Sequence, residues 1–214
     1  MTSSDYALRA RHLYFNFDAS PALQDVDIDL PWGTVTAIAG PNGAGKSTLI
    51  EILAGVRKPL RGTVERADDV ALVVQRVRTP DALPLTVRDV VTMGTWGRPA
   101  NRSPRLGAAE RRKRVAEALE RVQLTDLASS PFNALSGGQR QRALLAQGIA
   151  RQARIFLLDE PATGLDVVGR DRMRSMLAAE AERGAAVACV SHEEDYIAVA
   201  DRVVRLSGGC RIHS

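Results

Sequence analysis

Residues Gly40, Pro41, Asn42, Gly43, Ala44, Gly45, Lys46, Ser47 and Thr48 match the pattern G-x-x-x-x-G-K-[ST], between a hydrophobic run and a helical one. Glycines at 43 and 45 let the backbone wrap a phosphate and turn amide N–H groups toward it. A helix beginning at Lys46 adds the positive end of its dipole. Lys46 brings a point charge suited to β and γ phosphates, and the Ser47 hydroxyl can ligate Mg2+. The implied chemistry is the binding of a nucleoside triphosphate.

At 155–161 the chain reads IFLLDEP, an apolar strand that delivers Asp159 and Glu160 at its C-terminal end, the edge where open α/β sheets bind ligands. Asp159 can hold Mg2+ directly or through water, while Glu160 can face a water attacking the γ-phosphate. Acids also end buried strands without any catalytic task. Only the pairing with the loop at 40–48 gives these two their chemistry.

A third constellation, LSGGQ at 135–139, precedes the helical run RQRALLAQGIAR. Ser136, Gly137, Gly138 and Gln139 open backbone amides and a hydroxyl at a helix N-terminus, the requirements of a second anion site. The same residues also read as an ordinary helix cap.

The elements that must position these residues follow from patterning. Residues 23–30 alternate apolar with polar, and 34–39 form a short β-rich run entering the glycine loop. A helix is expected from Lys46 to Gly55, strands at 70–75, 154–158 and 185–190, and helices at 108–123 and 138–152. Val115, Ala118, Leu119 and Val122 fall on one helical stripe. Turn signals at Pro80, Pro84, Gly94, Gly97 and Pro99 separate the first strands from the helical stretch. The pattern is an α/β core interrupted by a mostly helical insertion.

Composition bounds the remaining options. The 214 residues are 45% hydrophobic and 25% charged, which excludes disorder and collagen-like repeats. Cys189 and Cys210 are too few for a disulfide framework, and His12, His192 and His213 make no ligand-spaced cluster with them, so a reducing compartment fits. The N-terminus lacks the apolar stretch of a signal peptide and no run is long and apolar enough to span a bilayer, so any membrane role needs another chain. Of the net charge of +4, the segment 98–114 supplies +6, from seven basic residues and one acid. Composition alone leaves a nucleic-acid patch, a membrane-surface patch and a solvated helix face all open for it.

With the loop at 40–48, LSGGQ, and LLDEP about twenty residues further on, the chain resembles the ATP-binding subunit of an ABC transporter over nearly its whole length. The resemblance implies an α/β P-loop NTPase fold, a RecA-like core with an antiparallel β edge and an inserted helical subdomain. In one domain spanning 1–214, the core would take about 1–80 and 153–214 and the helical subdomain about 81–152. It also implies a homodimer in which the LSGGQ of one chain closes over the ATP held by the loop of the other. Two membrane-spanning permease subunits and, indirectly, an extracytoplasmic substrate-binding protein would be partners, with no nucleic acid. The chain would then sit at the cytoplasmic face of the membrane, and its basic run beneath anionic headgroups.

Further positions carry over one at a time. Gln75 matches a glutamine that contacts Mg2+ and the lytic water, although Val74 precedes it where proline is frequent. Asp166 in ATGLD matches the loop that crosses between the two sites. His192 in VSHE matches the histidine that bonds the γ-phosphate, with Glu193 where aspartate is commoner. Phe17 matches the adenine-stacking aromatic, a position more often tyrosine. Blandly read, Gln75 is a solvated strand end, Phe17 a core aromatic and His192 a helix cap.

The stretch 73–98 resembles its counterpart in importers of zinc, manganese or chelated iron, where Pro-Leu-Thr-Val-x-Asp-Val-Val-x-Met-Gly recurs. Zinc or manganese is the favoured cargo. Val87, Val90, Val91 and Trp96 would equally pack a helical insertion. The end at Ser214 predicts no regulatory C-terminal domain. Among non-transport relatives, DNA-repair types need a long coiled coil and translation types two ATPase halves, neither of which 214 residues supply; an iron-sulfur assembly ATPase fits by length. A kinase or GTPase has no use for LSGGQ.

Overall fold

The computed structural model describes residues 5–18, 20–74, 84–96, 106–191 and 197–212. The chain opens with an antiparallel hairpin, β1 (Tyr6–Phe17) and β2 (Ser20–Pro31), continues through β3 (Val35–Ala39) into α1 (Lys46–Ala54), and returns through β4 (Arg61–Arg66) and β5 (Val70–Val73). Helices α2 (Val87–Met93), α3 (Ala108–Arg121) and α4 (Gly137–Ala150) follow. The chain closes with β6 (Ile155–Asp159), α5 (Val167–Glu182), β7 (Ala186–Val190), β8 (Arg202–Ser207) and β9 (Cys210–Ile212).

Two sheets result. A three-stranded antiparallel sheet has the order β2-β1-β4, and a six-stranded sheet the order β5-β6-β7-β3-β8-β9. In the larger one every pairing is parallel except β8 with β9. Its strands are buried on both faces, and the side chains alternate between two cores. Phe156 and Leu158 of β6, with Val187 and Cys189 of β7, join the core beneath α2–α5. Ile155, Leu157, Ala186, Ala188 and Val190 join the core shared with α1 and the antiparallel sheet. Both chemistry-bearing turns therefore leave a sheet held rigid from two sides.

Most expected elements appear within one or two residues. The alternation at 23–30 lies inside β2, with Val26, Ile28 and Leu30 buried. The stripe residues Val115, Ala118 and Leu119 of α3 and Val122 just after it are all buried, Arg112 and Lys113 are exposed, and the mostly covered Arg114 pairs with Glu110 one turn back. Helix α1 stops where expected, at Gly55, whose left-handed backbone (φ 82°) lets its N–H reach back to carbonyls of the last turn. Strand β5 ends at Val73, and Gln75, expected at its end, lies outside the described residues.

Helix α2 begins in a capping box: the Thr86 hydroxyl accepts from the Asp89 N–H, and the Asp89 carboxylate accepts from the Thr86 N–H. The Thr86 hydroxyl also donates to the Asp89 carboxylate at 2.6 Å, and this bond first, with the Thr86 N–H second, holds the Asp89 carboxyl below the usual carboxylate range. These bonds explain the Thr-Val-x-Asp portion of the importer-like stretch as local structure. Val87, Val90 and Val91 pack inward as the bland reading expected, whereas Trp96 is 59% exposed.

Candidate functional site

The phosphate loop fills the turn from β3 to α1. Gly45 caps α1 with φ 94°, and a Cβ there would stand 2.4 Å from the Ala22 carbonyl oxygen, so no other residue fits that crossing. The Ala44 N–H donates to the Pro41 carbonyl at 3.2 Å, closing the turn. The Lys46 ammonium, 6% exposed, donates to the Gly40 and Pro41 carbonyls at 2.8 and 2.9 Å and so lies back over the loop. Ser47, one residue into α1, donates its hydroxyl to Asp159 Oδ1 at 3.1 Å. Burial pushes the Asp159 carboxyl above its ordinary range, the Ser47 hydroxyl pulls the other way, and the neighbouring Glu160 adds to the rise.

Glu160 follows with a left-handed backbone (φ 48°), which turns its side chain away from the strand course. Its N–H donates to the Val190 carbonyl of β7, and its own carbonyl accepts from the Thr163 N–H, both at 3.2 Å. The Thr163 hydroxyl donates to Glu160 Oε2 at 2.9 Å.

These residues border one cavity of about 400 Å3, lined by Phe17, Asn42, Gly43, Gly45, Lys46, Ser47, Thr48 and Glu160 together with Ser20, Pro21 and Ala22. Phe17 is 46% exposed at its rim, which sets aside its reading as a core aromatic. The ring is braced edge-on by Phe15, centroids 5.1 Å apart, and by the Arg57 guanidinium 5.0 Å from its centroid.

The LSGGQ residues lie elsewhere. Ser136, Gly137, Gly138, Gln139 and Asp166 line a second cavity of about 420 Å3 that shares no lining residue with the first. Ser136 caps α4: its Oγ accepts from the Gln139 N–H at 3.3 Å, and Gln139 Oε1 accepts from the Ser136 N–H at 2.9 Å. Asp166 caps α5, accepting from the Gly169 N–H at 2.7 Å. The cap expected at Ser136 is present, Asp166 forms one as well, and the first turns of both helices open on the same space. Arg142 and Arg172 line it as well, and the Arg142 guanidinium is fixed by the Val122 and Gln123 carbonyls at 2.9 and 3.2 Å. Two helix N-termini and the Arg142 and Arg172 guanidinium groups border this space, together with the Asp166 carboxylate.

Of the residues singled out from sequence, the structure gathers Phe17, the loop, Asp159 and Glu160 at one place and Ser136–Gln139 with Asp166 at another. Gln75 and His192 lie outside the described residues. Thr163, Arg57, Arg142 and Arg172 were not singled out. The threonine three residues after the acid was a findable signal, since Thr commonly bonds polar groups three positions back.

A parallel sheet with a phosphate loop after one strand and an acid pair ending another defines a P-loop NTPase. The chain belongs to the ABC transporter family, whose model matches residues 23–163, as an ATP-binding cassette. It is 39% identical over 213 residues to the sulfate/thiosulfate import ATP-binding protein CysA 2 of Rhizobium meliloti, covering 94% of this chain and 58% of that protein. The hemin import ATP-binding protein HmuV of Thermobifida fusca is 36% identical, with 98% and 76% covered. The zinc import ATP-binding protein ZnuC 2 of Aliivibrio fischeri is 35% identical, with 94% and 79% covered. The chain thus spans little more than half the length of its sulfate relative. Among solved structures, an ABC transporter assigned to the metal-chelate type, in an inward-facing conformation, is 31% identical with TM-score 0.85, covering 98% of this chain and 83% of that one. The dimeric bacterial ABC transporter cassette MJ0796 is 25% identical with TM-score 0.82, covering 96% and 97%. No helix among the described residues is long and apolar enough to cross a membrane.

Proposed function

We propose that this chain hydrolyses ATP as one half of a homodimer and thereby powers a membrane importer, with zinc or manganese as cargo. The observation that carries the reading is the separation of the two cavities. One holds the loop, Ser47 and Glu160; the other has LSGGQ and two helix N-termini but no phosphate loop, and would serve as an anion site. Each is completed by the other only when a second copy turns head to tail, and the dimeric MJ0796 cassette supports such an assembly.

In this reading the loop amides and Lys46 bind the phosphates, Phe17 stacks on adenine, and Ser136 and Gly138 reach the γ-phosphate of the opposite chain. The Ser136 hydroxyl keeps its proton for that contact, since Oγ acts only as acceptor in the cap. The donor set at Ser47 and Asp159 is all oxygen, with a carboxylate strained by burial, and fits Mg2+; Gln75 would complete it. When bound, the ion neutralises charge on the β and γ phosphates. Glu160 accepts a proton from the water that attacks the γ-phosphorus, so that ATP and water become ADP and phosphate. His192 would bond the γ-phosphate on the way.

The core at about 1–80 and 153–214 would carry the nucleotide. The helical part at about 81–152, with exposed Trp96, would face two permease subunits at the cytoplasmic side of the membrane. Closure on ATP and reopening after hydrolysis would then move the permeases, with an extracytoplasmic binding protein delivering cargo. The zinc relative supports the metal; the hemin and metal-chelate relatives favour an iron chelate as a second reading. Co-purification with a multi-spanning permease tests the coupling, and stimulation of ATPase activity by a binding protein loaded with zinc, manganese or an iron chelate names the cargo. A chain that captures no permease and responds to no loaded binding protein contradicts it.

A further inference from the structure

We propose that Thr163 is a positioning residue for hydrolysis, its hydroxyl holding the Glu160 carboxylate in the plane from which the carboxylate takes the proton of water. The inference rests on the reading of Glu160 as the base. Three bonds to described residues bear on its geometry. Its N–H is tied to the Val190 carbonyl of β7, its carbonyl to the Thr163 N–H, and its Oε2 to the Thr163 hydroxyl at 2.9 Å. The first two fix a backbone in the left-handed region, φ 48°, that a glutamate does not adopt without such support. They leave the side-chain torsions unfixed. A glutamate has three, and a base that samples several of them spends little time aimed at one water. A donor on one carboxylate oxygen fixes the plane of the group and hence the direction of the other oxygen.

Geometry makes the threonine more than a capping residue. It closes no helix: α5 begins at Val167 and its cap is Asp166. Thr163 is exposed and lies outside both buried cores, so packing does not account for its hydroxyl. It also directly precedes Gly164, Leu165 and Asp166, which line the second cavity with Ser136. The hydroxyl that orients the base therefore stands at the start of the segment a second copy would press upon.

The test is steady-state ATP hydrolysis by this chain carrying Thr163→Val, which keeps the shape and removes the donor, and Thr163→Ser, which keeps the donor. For Thr163→Val, kcat falls roughly tenfold while KM for ATP stays within about twofold, the pattern of a lost orientation and not of lost binding. Thr163→Ser restores kcat. An unchanged kcat in Thr163→Val overturns the proposal, and so does a Thr163→Ser variant as slow as the valine, which would make shape the cause. Glu160→Gln, run alongside, separates the two claims. If it turns over at the parent rate, the base is misassigned and the role of Thr163 falls with it. If it is inactive while Thr163→Val is unaffected, only the role of Thr163 falls.

Discussion

Ser47 and Asp159, 112 positions apart, meet through a hydroxyl-to-carboxylate hydrogen bond of 3.1 Å. One lies in the first turn of α1 after the phosphate loop and the other ends β6, two strands away from β3 in the larger sheet. The bond joins the two halves of the nucleotide site. It also places a carboxylate where burial disfavours its charge, a cost that a bound cation would relieve.

The pH dependence of that cost has a definite sign. With its folded-state pKa raised above 3.8, chiefly by burial, Asp159 binds a proton more tightly folded than unfolded. Its contribution to stability is thus fully present below pH 3.8 and is lost as pH rises through the shifted value. The amide of Asp159→Asn does not titrate. This variant is expected to melt at a higher temperature than the parent at pH 7, with the gap closing toward pH 3.8. Mg2+ should raise the melting temperature of the parent and leave that of the variant unmoved.

Glu180 of α5, 4% exposed, is clamped by Arg121 at the end of α3, with one contact at 3.1 Å, and by Arg183. This cluster ties α3 to α5. Arg121→Ala leaves a buried carboxylate short of a partner and is expected to cost about 3 kcal/mol in urea unfolding. Arg121→Met combined with Glu180→Leu should cost much less.

Gly148 lets α4 lie flat on the sheet: a Cβ there would sit 2.6 Å from the Ala71 side chain and 3.0 Å from the Phe156 ring. Gly148→Ala is expected to lose about 1–3 kcal/mol of stability through overpacking. Because α4 begins at the LSGGQ turn, the same change should also weaken ATP-dependent dimerisation, read by sedimentation.

Phe17→Ala removes the ring at the cavity rim. KM for ATP is expected to rise roughly five- to tenfold, the loss of one aromatic stacking contact. Phe17→Tyr should leave it unchanged, and kcat should hold in both.

Much of this architecture was legible because burial imposes a period. Val26, Ile28 and Leu30 alternate since β2 buries one face, and Val115, Ala118, Leu119 and Val122 share a stripe since α3 does the same. The loop at 40–48 was legible for a different reason: its glycines and lysine are contiguous, so the site is written in one segment. Features made by distant segments were not. That Ser136 and Asp166 share a cavity depends on where α4 and α5 start in space, and local spacing does not encode it. The grip of Thr163 on Glu160 depends on a left-handed backbone at a residue that gives no sign of it. Likewise, where β1 shifts register against β2 between Ala10 and Phe15, His12 and Asp25 have positive φ, and neither is a glycine.

The central claim is that Glu160 activates water for ATP hydrolysis in a closed dimer. The most direct measurement is turnover by Glu160→Gln under saturating ATP and Mg2+, with oligomeric state followed in the same sample. The account predicts ATP retained, a dimer accumulating, and kcat reduced by roughly 10²–10⁴-fold, the share of a general base. Sustained hydrolysis near the parent rate, from monomer or dimer, would contradict it.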